Sequence, residues 1–188
     1  AADQDLVNAQ VILANIISNG IEGVTKDGKA AIKWYRKAAE NGNAHAQVET
    51  GLRYQYGNNV EEDQKAAVGW FQKAAKQENP RGQYYLALAY GKGAGISRDL
   101  EEAVRLYKLA SLSEDRKFSA FASTDLLIIK EILQSGVAKD FKSKKIMENA
   151  VNGDAKVQFQ LGLLYERGIG FEANQTEALK WHEKAASK

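Results

Sequence analysis

The side chains best equipped for acid–base or metal chemistry are scarce, since the chain holds two histidines and no cysteine. Without cysteine there is no thiolate nucleophile, no disulfide and no Cys-based zinc site. His182 occupies a slot that holds Tyr35, Phe71 and Tyr107 in matching segments, so it reads as a variation at a packing position. His45 lies in the turn Asn43-Ala44-His45-Ala46 without a second histidine one helical turn on, and reads as structural or exposed. The paired carboxylates Glu61-Glu62 and Glu101-Glu102 each adjoin an Asp at a helix start. The macrodipole favours negative charge there by about 0.3–1 kcal/mol, so capping accounts for them. Gly91-Lys92-Gly93-Ala94-Gly95 suggests a phosphate-cradling loop, but it lacks the Gly-Lys-Ser/Thr ending and follows a helix rather than a strand. The basic run Lys139, Lys142, Lys144 and Lys145 is interrupted by Asp140 and Phe141, as on a solvated helix face. No catalytic residue, cofactor site or metal site emerges, and the chain is not expected to be an enzyme.

Lys and Arg number 26 against 24 Asp and Glu, a formal charge of +2 over 188 residues. So small an excess argues against a nucleic-acid partner, whose binders carry a strongly basic face. With 44% apolar and 27% charged residues the composition is that of a folded chain. The aliphatic cluster Leu126-Leu127-Ile128-Ile129 stops at Lys130-Glu131, and no run approaches the ~18 apolar residues of a membrane span, so no membrane insertion is expected. The opening Ala1-Ala2-Asp3, without Met, suggests a processed, exported form in the periplasm or outside the cell, with a fragment of a longer chain, or a cytoplasmic protein, as the alternative.

What positions these residues is an internal repeat. Lys33-Trp34-Tyr35-Arg36-Lys37-Ala38-Ala39 returns as Gly69-Trp70-Phe71-Gln72-Lys73-Ala74-Ala75 and as Arg105-Leu106-Tyr107-Lys108-Leu109-Ala110-Ser111, the steps from Trp34 to Trp70 to Leu106 being 36 residues each. A weaker copy lies at Lys145 to Ala150, and a clear one at Lys180-Trp181-His182-Glu183-Lys184-Ala185-Ala186. Upstream in each unit a second segment matches, around Gln10, Gln47, Gln83 and Gln158, with a small residue at Ala14, Gly51, Ala87 and Gly162. Glycines at Gly20, Gly57, Gly93 and Gly168 end this first helix in the manner of C-terminal caps. Asp27, Asp63, Asp99 and Asn174 are placed to cap a second helix, and Asp99 with Glu102 and Asn174 with Glu177 approximate capping boxes. The second helix carries Ala31, Trp34, Tyr35 and Ala38 as an apolar stripe that one helix pair cannot bury alone, so neighbouring units must stack.

The small residue with Tyr54, Tyr90 or Tyr165 three positions later, the loop Gly20-Ile21-Glu22-Gly23-Val24 and the motif from Ala31 to Ala39 resemble the Sel1-like repeat, a relative of the tetratricopeptide repeat. The resemblance implies an all-α, right-handed solenoid of about five helix–turn–helix units over residues 1–188: 1–40, 41–76, 77–111, an irregular 112–152, and 153–188. In the fourth, Lys130 stands where the others have Ala or Gly; Leu126, Ile129 and Leu133, Gly136-Val137 and Asp140 trace a distorted helix, loop and cap, with an irregular insertion as the alternative. The resemblance also implies a protein-binding adaptor whose first helices line the concave surface. Some relatives bind or hydrolyse β-lactams, but those are cysteine-rich, and that activity does not carry over to a chain without Cys.

Positions free to vary between units mark the expected binding face. Counted from the small residue, offsets −2, +2 and +5 vary, giving Ile12, Ile16 and Asn19; Glu49, Arg53 and Tyr56; Tyr85, Ala89 and Lys92; Gln160, Leu164 and Arg167. They fall on one helical stripe whose aromatic, aliphatic and cationic mixture suits a peptide or a protruding element of a globular protein. The expected role is a bacterial envelope adaptor, working as a monomer or weak oligomer, with an immunity protein that blocks a toxin or effector enzyme as the alternative.

Overall fold

A computed structural model describes residues 2–21, 23–134, 144–169 and 172–187. Among these, ten helices follow one another: α1 (Ala2–Asn19), α2 (Gly28–Glu40), α3 (Ala44–Tyr56), α4 (Gln64–Lys76), α5 (Pro80–Lys92), α6 (Leu100–Ser111), α7 (Arg116–Gln134), α8 (Lys144–Val151), α9 (Ala155–Arg167) and α10 (Gln175–Ala186). In the first, second, third and fifth units the two helices pack as a pair, and the second helix of each unit packs on the first helix of the next, so the chain is an all-α solenoid of repeats.

Side-chain chemistry sets the helix ends. Asp27, Asp63, Asp99 and Asn174 each accept a hydrogen bond from the backbone N–H three residues on, satisfying an orphan donor of α2, α4, α6 and α10. The first helices are capped equivalently by Asn43, Asn79 and Asp154. Gly57, Gly93 and Gly168 close α3, α5 and α9 at positive φ, a region where a Cβ would be strained. The capping boxes expected at Glu102 and Glu177 do not form: Glu102 turns forward to Arg105 at 2.6 Å and Glu177 to Lys180 at 2.6 Å, one helical turn on, where an opposite charge competes better than a backbone N–H.

The small residue of each first helix faces the aromatic slot of the second. A Cβ on Gly51 would lie 2.5 Å from Phe71 Cε1, and one on Gly162 would lie 2.6 Å from His182 Cε1, so these helices touch through glycine. Phe71, Tyr35 and Tyr107 are buried, whereas Trp34 and Trp70, on the expected apolar stripe, are only half-buried. The repeated glutamine joins units: Gln47 Nε2 donates to Ala39 O at 3.2 Å and Gln158 Nε2 to Ala150 O at 2.8 Å, in each case the helix end of the unit before.

The core runs continuously from the second unit to the fifth, with a second cluster joining the first unit to the second. In the fourth unit α7 is a full 19-residue helix, while α8 has 8 residues. Lys130 is exposed and does not hold a packing slot; Ala122, Ile128 and Ile129 supply the buried face instead. The expected Gly136-Val137 loop, the cap at Asp140, and the lysines at 139 and 142 lie outside the described residues.

Candidate protein-binding face

Helix α3 touches α5 and α5 touches α7, whereas no comparable contact joins α2 to α4 or α4 to α6. First helices therefore lie closer together than second helices, which puts them on the inner, concave side of the stack. Spacing along α3 brings His45, Glu49, Arg53 and Tyr56 onto one face, and spacing along α5 does the same for Arg81, Tyr85 and Lys92.

These two rows lock together. Arg81 Nη2 donates to Glu49 Oε1 at 2.8 Å, and its Nη1 lies 3.2 Å from His45 Nδ1, where it donates to an unprotonated ring nitrogen. The same guanidinium lies 5.3 Å from the centroid of Phe118 of α7. Arg53 Nη2 donates to Ser18 Oγ of α1 at 2.8 Å, and its plane lies 4.9 Å from the Tyr35 ring. Burial pushes the His45 pKa below its ordinary value, Arg81 pushes it the same way, and Glu49 opposes them.

Aromatic rings fill the floor. Tyr85 stacks on Phe71 with centroids 5.4 Å apart, and Tyr84 meets Tyr85, Tyr107, Phe118 and Phe121 at 5.2, 5.6, 6.0 and 6.4 Å. Burial raises the phenol pKa values of Tyr84 and Tyr85, so both stay neutral; nearby Tyr56 adds to the rise in each. Phe121 is 41% exposed, so the aromatic cluster reaches the open surface there, and Tyr56 of α3 is separately 59% exposed.

The expected stripe divides on this geometry. Ile12 and Tyr56 are both 59% exposed, Asn19 and Lys92 are exposed, and Ile16, Glu49, Arg53, Tyr85 and Gln160 are half-buried. Ala89 and Leu164 are corrections: at 7% and 1% exposure they belong to the core, where no partner reaches them. The reason is positional. Offset +2 points into the seam with the preceding unit, where Ala89 meets Phe71 and the equivalent Arg53 lies over Tyr35. Variation there reflects how each seam is filled. Arg167 is a third correction, because its guanidinium pairs with the fully buried carboxylate of Asp125 from α7.

His45, Arg81, Tyr84, Phe118 and Phe121 extend the face beyond the residues expected from the repeat comparison. The sequence held part of the signal, since Glu49 follows His45, and Tyr85 follows Arg81, by four residues. Phe118 and Phe121 fall in the irregular unit, where no repeat alignment gave them an offset. Among the described residues no three of His, Cys, Asp and Glu gather to hold a metal ion, and no helix is long and apolar enough to cross a membrane. The arrangement offers apolar side chains a ring-lined surface and offers carboxylates nearby cations.

Comparison with known proteins agrees with this architecture. The Sel1 repeat profile matches residues 7–43, 44–79, 80–115 and 155–188. The chain is 36% identical over 169 residues to DAP3-binding cell death enhancer 1 of Rattus norvegicus, covering 89% of this chain and 33% of that protein; the Mus musculus counterpart is equally similar, with 32% covered. It thus spans about a third of the length of these relatives. Among solved structures, a Sel1 repeat protein from Oxalobacter formigenes superposes with a TM-score of 0.63 at 28% identity, covering 98% of this chain and 74% of the other. A protective antigen present in uropathogenic Escherichia coli strains, displaying an SLR fold, gives 0.63 at 30% identity, covering 99% and 39%. With four of its five helix pairs matched, the chain belongs to the Sel1 repeat family.

Proposed function

We propose that this chain is a bacterial envelope adaptor that holds a protein partner against its concave first-helix face and catalyses no reaction. The observation that carries the reading is exposed Tyr56 on the cation-bearing row of α3, facing the row of α5, with an aromatic cluster that surfaces at Phe121 on the α7 side. Exposed aromatics beside Arg and Lys are the common anchors of protein interfaces. Sel1 repeats generally mediate contacts between proteins, and the name of the rodent relatives describes them as DAP3-binding. The two bacterial structures of the same architecture support the bacterial setting.

The test is capture from a bacterial envelope extract with the wild-type chain and, in parallel, with Tyr56→Ala. Recovery of several envelope components by the wild type, all lost with the variant, supports the adaptor. A single tightly bound effector enzyme, inactive while bound, would replace the adaptor with an inhibitor using the same face. Turnover of a substrate by the purified chain would overturn the non-catalytic reading.

A further inference from the structure

The charges on the concave face do not cancel. On its α3 and α5 rows stand three cations, Arg53 on α3 and Arg81 and Lys92 on α5, with one carboxylate, Glu49. That carboxylate is already committed to Arg81 at 2.8 Å. Among the described residues neither Arg53 nor Lys92 makes an ion pair: Arg53, one turn beyond the committed Glu49, has a serine hydroxyl and the Tyr35 ring, and burial weighs on Lys92 without a counter-ion. Lys92 keeps much of its surface open, yet the surrounding protein crowds its ammonium enough that burial pushes its pKa below the ordinary value of 10.5. A cation held in such surroundings without a counter-ion gains when a carboxylate arrives.

Geometry places apolar surface between these two cations. Tyr56 lies one turn beyond Arg53 on α3, and it neighbours Tyr84 and Tyr85 of α5. Lys92 lines the same small cavity as Tyr85 and Phe71, and Phe121 extends the rings toward α7 at 6.4 Å from Tyr84. A ligand complementary to this patch carries negative charge on either side of an apolar side chain.

We infer that the partner presents an acidic segment, with carboxylates for Lys92 and Arg53 flanking an aromatic or large aliphatic side chain that packs on Tyr56. This rests on the concave face being the binding face. A basic segment would meet two uncompensated cations, and a wholly apolar one would leave Lys92 without a counter-charge.

The probe is a random 12-residue peptide display library selected on the immobilised 188-residue protein at low salt. Enriched peptides are expected to carry more Asp and Glu than Lys and Arg, grouped around one aromatic or leucine. A synthetic peptide of the enriched sequence is expected to bind Lys92→Gln about tenfold more weakly, and to lose affinity between about 50 and 300 mM NaCl as the Debye length shortens. Circular dichroism verifies that Lys92→Gln keeps its helices, and Arg53→Lys, which preserves the charge, is expected to bind better than Arg53→Gln. Neutral or basic peptides that nonetheless lose binding with Tyr56→Ala would overturn the acidic segment and leave the concave face standing. Enriched peptides indifferent to Tyr56, Lys92 and Arg53 would overturn both. Failure to enrich any peptide would overturn the inference that a short segment supplies the recognition.

Discussion

Replacing Phe71 by Ala is expected to destabilise the chain more than replacing its larger neighbour Trp70. Phe71 is 1% exposed, stacks on Tyr85 at 5.4 Å, and presses on a glycine whose Cβ, if present, would lie 2.5 Å away. Removing the ring leaves a cavity on three sides, and Gly51 has no side chain to move into it. Phe→Ala costs of ~3–5 kcal/mol apply, and the loss falls in the upper part of that range. Trp70 is half-buried, with the Lys73 ammonium 4.0 Å from its ring centroid. Burying about half of a ring of ~200 Å² at ~25 cal/mol per Å² gives roughly 2.5 kcal/mol. Urea titrations followed by helical circular dichroism measure both, with whole curves compared because stacked repeats can unfold in parts. Refutation is a Trp70→Ala loss equal to or larger than that of Phe71→Ala, or a Phe71→Ala loss below ~1 kcal/mol; either would mean that the aromatic slot is not the centre of the unit.

Gly51→Ala is expected to destabilise, because overpacking of ~1–3 kcal/mol against Phe71 outweighs a helix-propensity gain of up to ~1 kcal/mol, whereas Gly69→Ala, with nothing within 4 Å of the new Cβ, keeps that gain; thermal melts of the two should move in opposite directions. Arg167→Met is expected to cost ~3–5 kcal/mol by stranding the buried Asp125 carboxylate, and Asp125→Leu added to it should recover much of the loss, as a double-mutant cycle in urea would show. The depressed His45 pKa makes the unfolded chain bind a proton more readily than the folded one, so its contribution is intact above the ordinary 6.5 and is lost as pH falls through the window below it. Melting temperature should therefore fall less steeply on acidification in His45→Gln than in the wild type.

The period of 36 residues, the second-helix caps at Asp27, Asp63, Asp99 and Asn174, and the glycine ends at Gly57, Gly93 and Gly168 were legible because each is fixed by local backbone chemistry. The binding face was legible only in part. Variation between repeats marks a position released from the common packing rule, but release has two causes: contact with a partner, or contact with a neighbouring unit that differs. Tyr56 is open to solvent, while Ala89 sits in a seam against Phe71, and no property of the isolated helix separates the two. Arg167 reads as a surface cation until α7 brings Asp125 to it from a unit with no clear repeat register. The same long helix supplies Phe118 and Phe121, so the fourth unit shapes the face most and resembles the others least.

Half-buried Tyr85 and Arg53 also serve as seam residues, stacked on Phe71 and Tyr35, so changing them tests folding and binding together. Exposed Tyr56 separates the two. The outer side of the stack supplies the control, a groove of about 790 Å³ between α4, α5 and α6 where Leu109 and Leu112 are 40% and 74% exposed. The decisive measurement is calorimetric titration of a captured partner into wild type, Tyr56→Ala, and the outer-face variant Leu109→Ser/Leu112→Ser, each with unchanged helicity. Tyr56→Ala should weaken binding by ~2 kcal/mol, about thirtyfold, while the outer-face variant binds as the wild type does. Undiminished binding by Tyr56→Ala together with loss in Leu109→Ser/Leu112→Ser would place the partner on the convex side and contradict the concave face as the site of function.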